Sequence, residues 1–517
     1  MVPDFRNEPF TDFSVPANRQ AFETALQSAE HDVRDWPLVI AGARVTTDGW
    51  LTSHNPARHK TLVGRVARAT KAEADRALDT AWAAFENWSR LEATERARVV
   101  MRTAAVLRRR KHEFSATMVL EVGKPWAEAD ADVAEAIDFC EFYAREALRL
   151  AEPQTLTRLP GTDNDLVYLP LGVGLIVPPW NFPLAILTGM TAGAIVAGNT
   201  VLLKPSSLTP IIGAKLMEAL EEAGLPPGVV NFIPGPGGEV GEYLIDHPRI
   251  RFVSFTGSRE VGCHIHETAA RVHPGQKWLK RVIAEMGGKD AIVVDDTLSD
   301  SQLDAAAEAV VASAFGFAGQ KCSACSRLIA VNSVYDALVG KVVDRAKTLR
   351  VGDPKAFETQ MGPVADGGQF RKITEYTEIG RREGKLVLGG GSDSKEGFYV
   401  EPTIFGDVDP AARISREEIF GPVLACTRAP DWKAAIGIAN DTDYGLTGAF
   451  FSQDRSRLAH ARREFHVGNL YLNRKCTGAL VGVEPFGGFN MSGTDSKAGG
   501  RDYLLLLTQP KTISERL

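Results

Sequence analysis

From Leu171 onward the chain alternates short, almost wholly apolar runs with longer amphipathic ones, and that alternation limits the fold more than any other feature. The runs at 174–178, 200–204, 229–233, 252–255 and 281–285 leave no polar face, so each reads as a strand buried on both sides. Between them, 182–198, 209–223, 238–245 and 259–272 carry apolar residues at helical spacing. Strands and helices in strict alternation imply a parallel sheet covered on both faces. In such a sheet ligands bind beyond the carboxyl ends of the strands. A second α/β block follows, with strands at 291–294 and 326–331, helices at 301–317 and 334–349, and an end near Gly482.

The first 150 residues read mostly as helix, over 73–88, 95–113 and 131–150, with turn and strand at 55–69. Residues 157–169 suit an extended arm, and the glycine-rich tail through 503–507 reads as a loop and then a strand. Pairing that arm with the C-terminal strand of a neighbouring subunit would cover two exposed edges. At roughly 150 residues per domain, a chain of 517 residues makes about three lobes. With 59 basic against 65 acidic residues the net charge is −6, so no basic surplus exists to coat nucleic acid or an anionic membrane. The most apolar long stretch, 183–203, is broken by Thr, Gly and Asn before it reaches the ~18–20 residues a membrane span needs. Six cysteines are too few for a disulfide framework and suit a reducing cytoplasm, and the opening MVPDFRNEPFTDFS does not read as a secretory signal.

Several strings at the ends of these elements could carry chemistry. In GQKCSAC at 319–325, Cys322 lies in a Gly-containing connection where a thiol can approach a substrate; an inert buried cysteine is the plain alternative. Cys322 and Cys325 form a C-x-x-C pair, but no second pair exists to complete a zinc site, so no metal is expected. Cys263, His264 and His266 read as structural, because residues two apart on a helix do not face each other. In AEMGGK at 284–289, Glu285 ends an apolar strand and two glycines clear the space beside it. It reads either as a salt-bridged structural acid or as a general base tuned by partial burial. FTGSREVG at 255–262 joins strand to helix, where backbone amides can meet a phosphate, although its glycine spacing is not that of a dinucleotide fingerprint or a P-loop. Lys204 ends a strand in LKPS and could meet ribose hydroxyls or a phosphate. Asn181, in PWNFP at 179–183, offers an amide donor for an oxyanion. EEIFGP at 417–422 sets acids beside an aromatic, and its plain reading is a solvated acidic pair.

Taken together and in this order, PWNFP, LLKPS, FTGS, EMGGK, GQKC and EEIFGPV resemble the aldehyde dehydrogenase superfamily over about residues 35–517. NRKCTGALVG at 473–482 and the tail PFGGFNMSGTDSKAGGRDY are similar to the branch that oxidises L-glutamate γ-semialdehyde, formed from 1-pyrroline-5-carboxylate, to glutamate in proline and arginine catabolism. The resemblance implies an α/β fold with a Rossmann-like cofactor domain, a second α/β catalytic domain and a small β oligomerisation arm. It divides the chain into an N-terminal extension (1–34), a cofactor domain (35–152 and 171–287), a catalytic domain (288–482), and an arm with a C-terminal anchor and strand (153–170 and 483–517). It makes Cys322 the nucleophile, Glu285 the base, and Asn181 with the Cys322 N–H the oxyanion hole. Pro179, Trp180, Lys204, Ser207, Gly257, Ser258, Gly287, Glu418 and Phe420 would hold the nicotinamide cofactor. Ser323, Gly478 and Ala479 would take the substrate carboxylate, Phe182 and Phe486 would flank its aliphatic chain, and Glu135 would meet its ammonium. Many NAD-preferring relatives carry Glu three residues after the strand-end lysine; Ser207 stands there here, so NADP stays open beside NAD. The resemblance also implies a cytoplasmic homo-oligomer, at least a dimer, and leaves a proline dehydrogenase open as a partner. Other aldehydes as substrate, a CoA-acylating relative and a non-catalytic cofactor-binding protein are the alternatives. The presence of both Cys322 and Glu285 argues against the last two.

Overall fold

The computed structural model describes residues 3–517. Two seven-stranded sheets carry the architecture. In the first, five parallel strands lie in the order Arg281–Glu285, Phe252–Thr256, Val173–Val177, Thr200–Leu203 and Val230–Phe232. Leu38–Ile40 and Ala43–Val45 extend the far edge antiparallel. After that antiparallel edge, the parallel part starts in the middle of this sheet at Val173, winds outward one way, then returns to the other side through Phe252. The sheet therefore has a switch point between Val173–Val177 and Phe252–Thr256, where both following loops diverge and leave a crevice. Its strands bury Val173, Leu175, Leu202 and Val253 on one face, and Ile176, Val201, Leu203 and Phe252 on the other. The absence of a polar face in the sequence has this physical cause.

The second sheet runs Lys385–Leu388, Thr403–Gly406, Val423–Ala429, Cys325–Val331, Asp290–Val294, Thr447–Phe451 and Asn469–Leu472, parallel except for its first edge strand. Its helices Asp300–Phe315 and Asn332–Ala346 cover one face, and Trp432–Asn440 with Arg455–Glu464 the other. The helix Trp126–Ala151 lies against Ala93–Arg109 and Ala185–Val196. Ahead of them, residues Pro16–His31 form a helix that buries Phe22 and Leu26 and packs against Lys111–Val122.

Four expectations need correction. The single helix read over 95–113 is two, Ala93–Arg109 and Lys111–Val122, broken at Arg110, whose guanidinium turns to Glu113 and Glu218. The second helix thereby reaches the N-terminal helix and Pro210–Glu222, which a straight continuation would miss. The helix read over 301–317 ends at Phe315, because Phe317 and Ala318 take left-handed backbone angles. The apolar run 503–507 is a 3-10 turn, not a strand, since Tyr503, Leu504 and Leu507 all face the core; the last strand is Thr508–Arg516. That strand pairs antiparallel with Thr162–Pro170 of the same chain, in register from Thr508 opposite Pro170 to Arg516 opposite Thr162, so the arm's partner strand is its own and not a neighbour's.

Candidate active site

The switch-point crevice of the first sheet opens toward the amino end of the second, where Gly287, Cys322 and Phe420 precede the strands Asp290–Val294, Cys325–Val331 and Val423–Ala429. Beyond Val173–Val177 the chain enters Pro178, Pro179, Trp180 and Asn181, and only at Ala185 does the next helix begin. The Asn181 side chain is buried, and its Nδ2 donates to the Gln320 carbonyl at 3.1 Å, two residues before Cys322. Two ion pairs on one long helix hold this meeting. Asp132 and Lys124 are fully buried and 2.6 Å apart, and the second oxygen of Asp132 accepts from the Ala185 N–H at 2.6 Å. Lys124 Nζ also sits 4.0 Å above the Phe182 ring. One turn along, Glu128 takes Lys321 Nζ at 2.7 Å. One helix therefore fixes both the Asn181 turn and the residue before the nucleophile.

The nucleophile's own loop follows from backbone constraint. After Phe315 the left-handed Phe317, Ala318 and Gly319 reverse the chain, and a Cβ on Gly319 would lie 2.3 Å from the Gly421 carbonyl oxygen. Cys322 then stands at the mouth of strand Cys325–Val331, partly exposed. Burial raises its thiol pKa, and Asp290, Glu418 and Glu285 add to that shift with negative charge. All six cysteines are free, and no cluster of His, Cys, Asp and Glu that could hold a metal occurs among the described residues. Cys263 is exposed, and His264 pairs with Glu242.

Two cavities meet at Cys322. The first, about 450 Å³, is the switch-point groove. Pro179, Trp180, Asn181, Lys204, Ser207, Gly257, Ser258, Gly287, Glu418 and Phe420 all line it. Lys204 Nζ is buried with only the Pro205 and Gly235 carbonyls as partners, and desolvation pulls its pKa down to about 8. Such an ammonium, with no carboxylate beside it, suits hydroxyls or a phosphate. Ser258 caps the helix Arg259–Ala269, whose N-terminal amides and dipole favour an anion at the same wall. Gly287 leaves space that a Cβ would fill at 2.3 Å from the Glu418 carboxylate, and Glu418 accepts from the Gly288 N–H at 3.0 Å. Phe420 has a positive φ and meets Trp180 edge to face at 5.4 Å, joining the two loops that close the groove. These donors, the unpaired cation and the cleared backbone fit a dinucleotide.

The second cavity, about 120 Å³, is mostly apolar. Glu135, Phe182, Glu285, Ser323, Gly478, Ala479 and Phe486 line it together with Cys322. Glu135 has no hydrogen-bond partner, and burial with Asp132 beside it pushes its carboxyl up to about 8. Gly478 has φ +79° in a loop clamped by Arg474, which donates to Glu484 at 2.6 Å and to the Gly478 carbonyl at 3.3 Å. Burial likewise raises Glu285 to about 8, against a hydrogen bond from Ser496 and the charge of Lys497. One Glu285 oxygen, Oε2, is buried with no partner. Thus every residue that the resemblance assigned to the site lines one of two cavities, and Cys322 lines both, whereas Cys325, Cys263, His264 and His266 line neither. Sequence reasoning missed Tyr143, Met190, Thr256 and Tyr503 on the substrate side and Lys372 on the cofactor side. Tyr143, Met190 and Thr256 sit in helices or a strand whose local pattern announces only burial, Tyr503 sits in the 3-10 turn, and Lys372 reads as an ordinary charged residue of the helix Gly367–Glu383.

The chain is similar to known proteins over nearly its whole length. A family model described as the aldehyde dehydrogenase family matches residues 45–513. The chain is 59% identical over 516 residues to a 1-pyrroline-5-carboxylate dehydrogenase of Geobacillus, covering 100% of each. It superposes with a TM-score of 0.98 on the crystal structure of 1-pyrroline-5-carboxylate dehydrogenase from Thermus with bound NAD, at 52% identity and full coverage of both chains. With 43% identity and a TM-score of 0.97, 99% of it also matches 53% of proline utilization A from Bdellovibrio bacteriovorus.

Proposed function

Because the chain belongs to the aldehyde dehydrogenase family, we propose that it oxidises L-glutamate γ-semialdehyde, the open form of 1-pyrroline-5-carboxylate, to L-glutamate with NAD. The observation that carries the site reading is Cys322 at the junction of a dinucleotide-shaped groove and a small apolar cavity lined by a carboxylate. NAD, when bound, supplies the hydride acceptor and a positive charge near the thiol.

Cys322 gives its thiol proton to water and its Sγ attacks the aldehyde carbon, and the resulting oxyanion is met by Asn181 Nδ2 and the Cys322 backbone N–H. One such donor is worth about 100- to 1,000-fold in rate. After hydride loss a thioester remains on Cys322. Glu285 then takes a proton from water, which attacks the thioester and releases glutamate, a step to which general-base help contributes roughly 100- to 10,000-fold. Ser323, Gly478 and Ala479 hold the substrate carboxylate, Glu135 its ammonium, and Phe182 with Phe486 the methylenes between. In support, Glu135 is a carboxyl without a partner in this apolar cavity. On the cofactor side Lys204 and Ser207 take the adenosine ribose, Gly257 and Ser258 the pyrophosphate, and Glu418 the nicotinamide ribose. Pro179, Trp180 and Gly287 shape the groove, and Phe420 positions the ring. Glu418 is the one acid lining the groove, so no carboxylate at the adenosine end repels a 2′-phosphate, and NADP remains a second acceptor.

The enzyme works as a cytoplasmic homo-oligomer; six free thiols and a two-stranded ribbon exposed beyond the core support that reading. A proline-oxidising enzyme is the proposed source of substrate, since the chain matches about half of a protein named for proline utilisation. The proposed domain limits are 1–34, 35–152 with 171–287, 288–482, and 153–170 with 483–517. The test is reduced-nicotinamide formation, followed by absorbance, from 1-pyrroline-5-carboxylate and a panel of aldehydes, with NAD and NADP in parallel. Preference for another aldehyde by an order of magnitude overturns the substrate assignment.

A further inference from the structure

We infer that Ser496 is a positioning residue for hydrolysis: its hydroxyl holds one oxygen of Glu285 so that only the other is free to take a proton from water. Glu285 ends the edge strand of the first sheet, where an unsupported carboxylate would swing. The C-terminal loop closes that edge. The Met286 N–H donates to the Ser492 carbonyl at 2.8 Å, the Ala284 N–H to Thr494 Oγ1 at 3.0 Å, and the Thr494 N–H to the Ala284 carbonyl at 2.9 Å. Glu285 itself bridges Gly493. Three residues on, Ser496 Oγ donates to Glu285 Oε1 from 211 positions away in sequence.

The loop is held in turn. Lys497 Nζ donates to the carbonyls of Gly468 and Gly487, at 2.7 and 2.5 Å. A Cβ on Gly487 would fall 1.8 Å from the Ser496 carbonyl and 3.1 Å from Glu285 Oε1, so backbone walls the same oxygen on its other side. Oε1 is therefore hydrogen-bonded and fenced, whereas Oε2, buried beside Gly493, accepts no hydrogen bond, and Glu285 lines the substrate cavity. A carboxylate with one committed and one free oxygen presents a single lone-pair direction to water, and the hydroxyl also stabilises its charged form.

This inference rests on Glu285 as the base, and the experiment separates the two. Stopped-flow traces give the hydride burst, set by attack and transfer, and the steady rate, set by hydrolysis. In Ser496→Ala the burst keeps its rate, steady turnover falls at least about tenfold, and the acid limb of kcat moves up by about one pH unit, because the carboxylate has lost a charge-assisted hydrogen bond. Ser496→Thr keeps the hydroxyl and restores the limb. A wild-type pH profile in Ser496→Ala, or a burst that slows in parallel with turnover, overturns the role of Ser496. Glu285→Gln is the companion: full steady turnover in that variant overturns the base assignment and this inference with it. If Glu285→Gln instead traps the acyl-enzyme while Ser496→Ala behaves as wild type, the base stands and only the role of Ser496 fails.

Discussion

At the scale of single residues burial raises the pKa of both reactive groups, Cys322 and Glu285. Cys322 carries the bond-forming sulfur, so Cys322→Ala abolishes turnover while NAD still binds, because the groove residues are untouched. Calorimetric titration with NAD beside a rate assay checks both halves, and residual turnover above about one part in a thousand of wild type removes the nucleophile assignment. Glu285 has its pKa raised to about 8, and the hydrolytic step needs the carboxylate. Ionisation increases as pH rises, so kcat climbs with pH through about 8 and is lost on the acid side. A kcat that is flat between about pH 6 and 9 contradicts a base tuned in this way. Both residues were singled out in the sequence by the glycines near them, and only the resemblance carried by the strings together gave them their roles. Ser496 was not legible: a serine in a loop looks the same whether it faces solvent or a carboxylate.

Among the elements, the helix Trp126–Ala151 does more than its periodicity suggests. Its buried Asp132 joins Lys124 and the N-terminus of Ala185–Val196, so a single carboxylate ties two helices to the Asn181 turn. Asp132→Ala leaves a buried ammonium without a counter-charge and a helix N–H without an acceptor. Breaking such a pair from one side costs about 3–5 kcal/mol. The expected result is a clearly lowered midpoint of thermal unfolding and a raised KM for the aldehyde, since Phe182 lies under Lys124. An unchanged midpoint contradicts the role given to the pair. Periodicity placed this helix in the sequence but could not say which of its charged residues point inward. The break at Arg110 was hidden for a related reason: the helical pattern continues across it, and only the packing partners on either side differ.

For the whole molecule, the ribbon of Thr162–Pro170 and Thr508–Arg516 stands apart from both large sheets. Two strands alone are marginal in water, and their outer edges offer unpaired backbone groups to another chain. Removal of residues 508–517 leaves Thr162–Pro170 unpaired, so the proposed homo-oligomer is expected to shrink when measured by sedimentation velocity; an unchanged mass contradicts a role of the ribbon in assembly. The sequence by itself determined the first parallel sheet, the opening strands of the second α/β block and the strings near their ends. All depend on neighbours a few residues apart, and burial on both faces of a strand leaves an apolar signature that needs no partner to be read. Only the tertiary structure decided that the ribbon closes within one chain, that the 503–507 run turns instead of extending, and that Ser496 reaches Glu285. Those outcomes are contacts between segments tens to hundreds of residues apart, and several arrangements bury the same local pattern equally well.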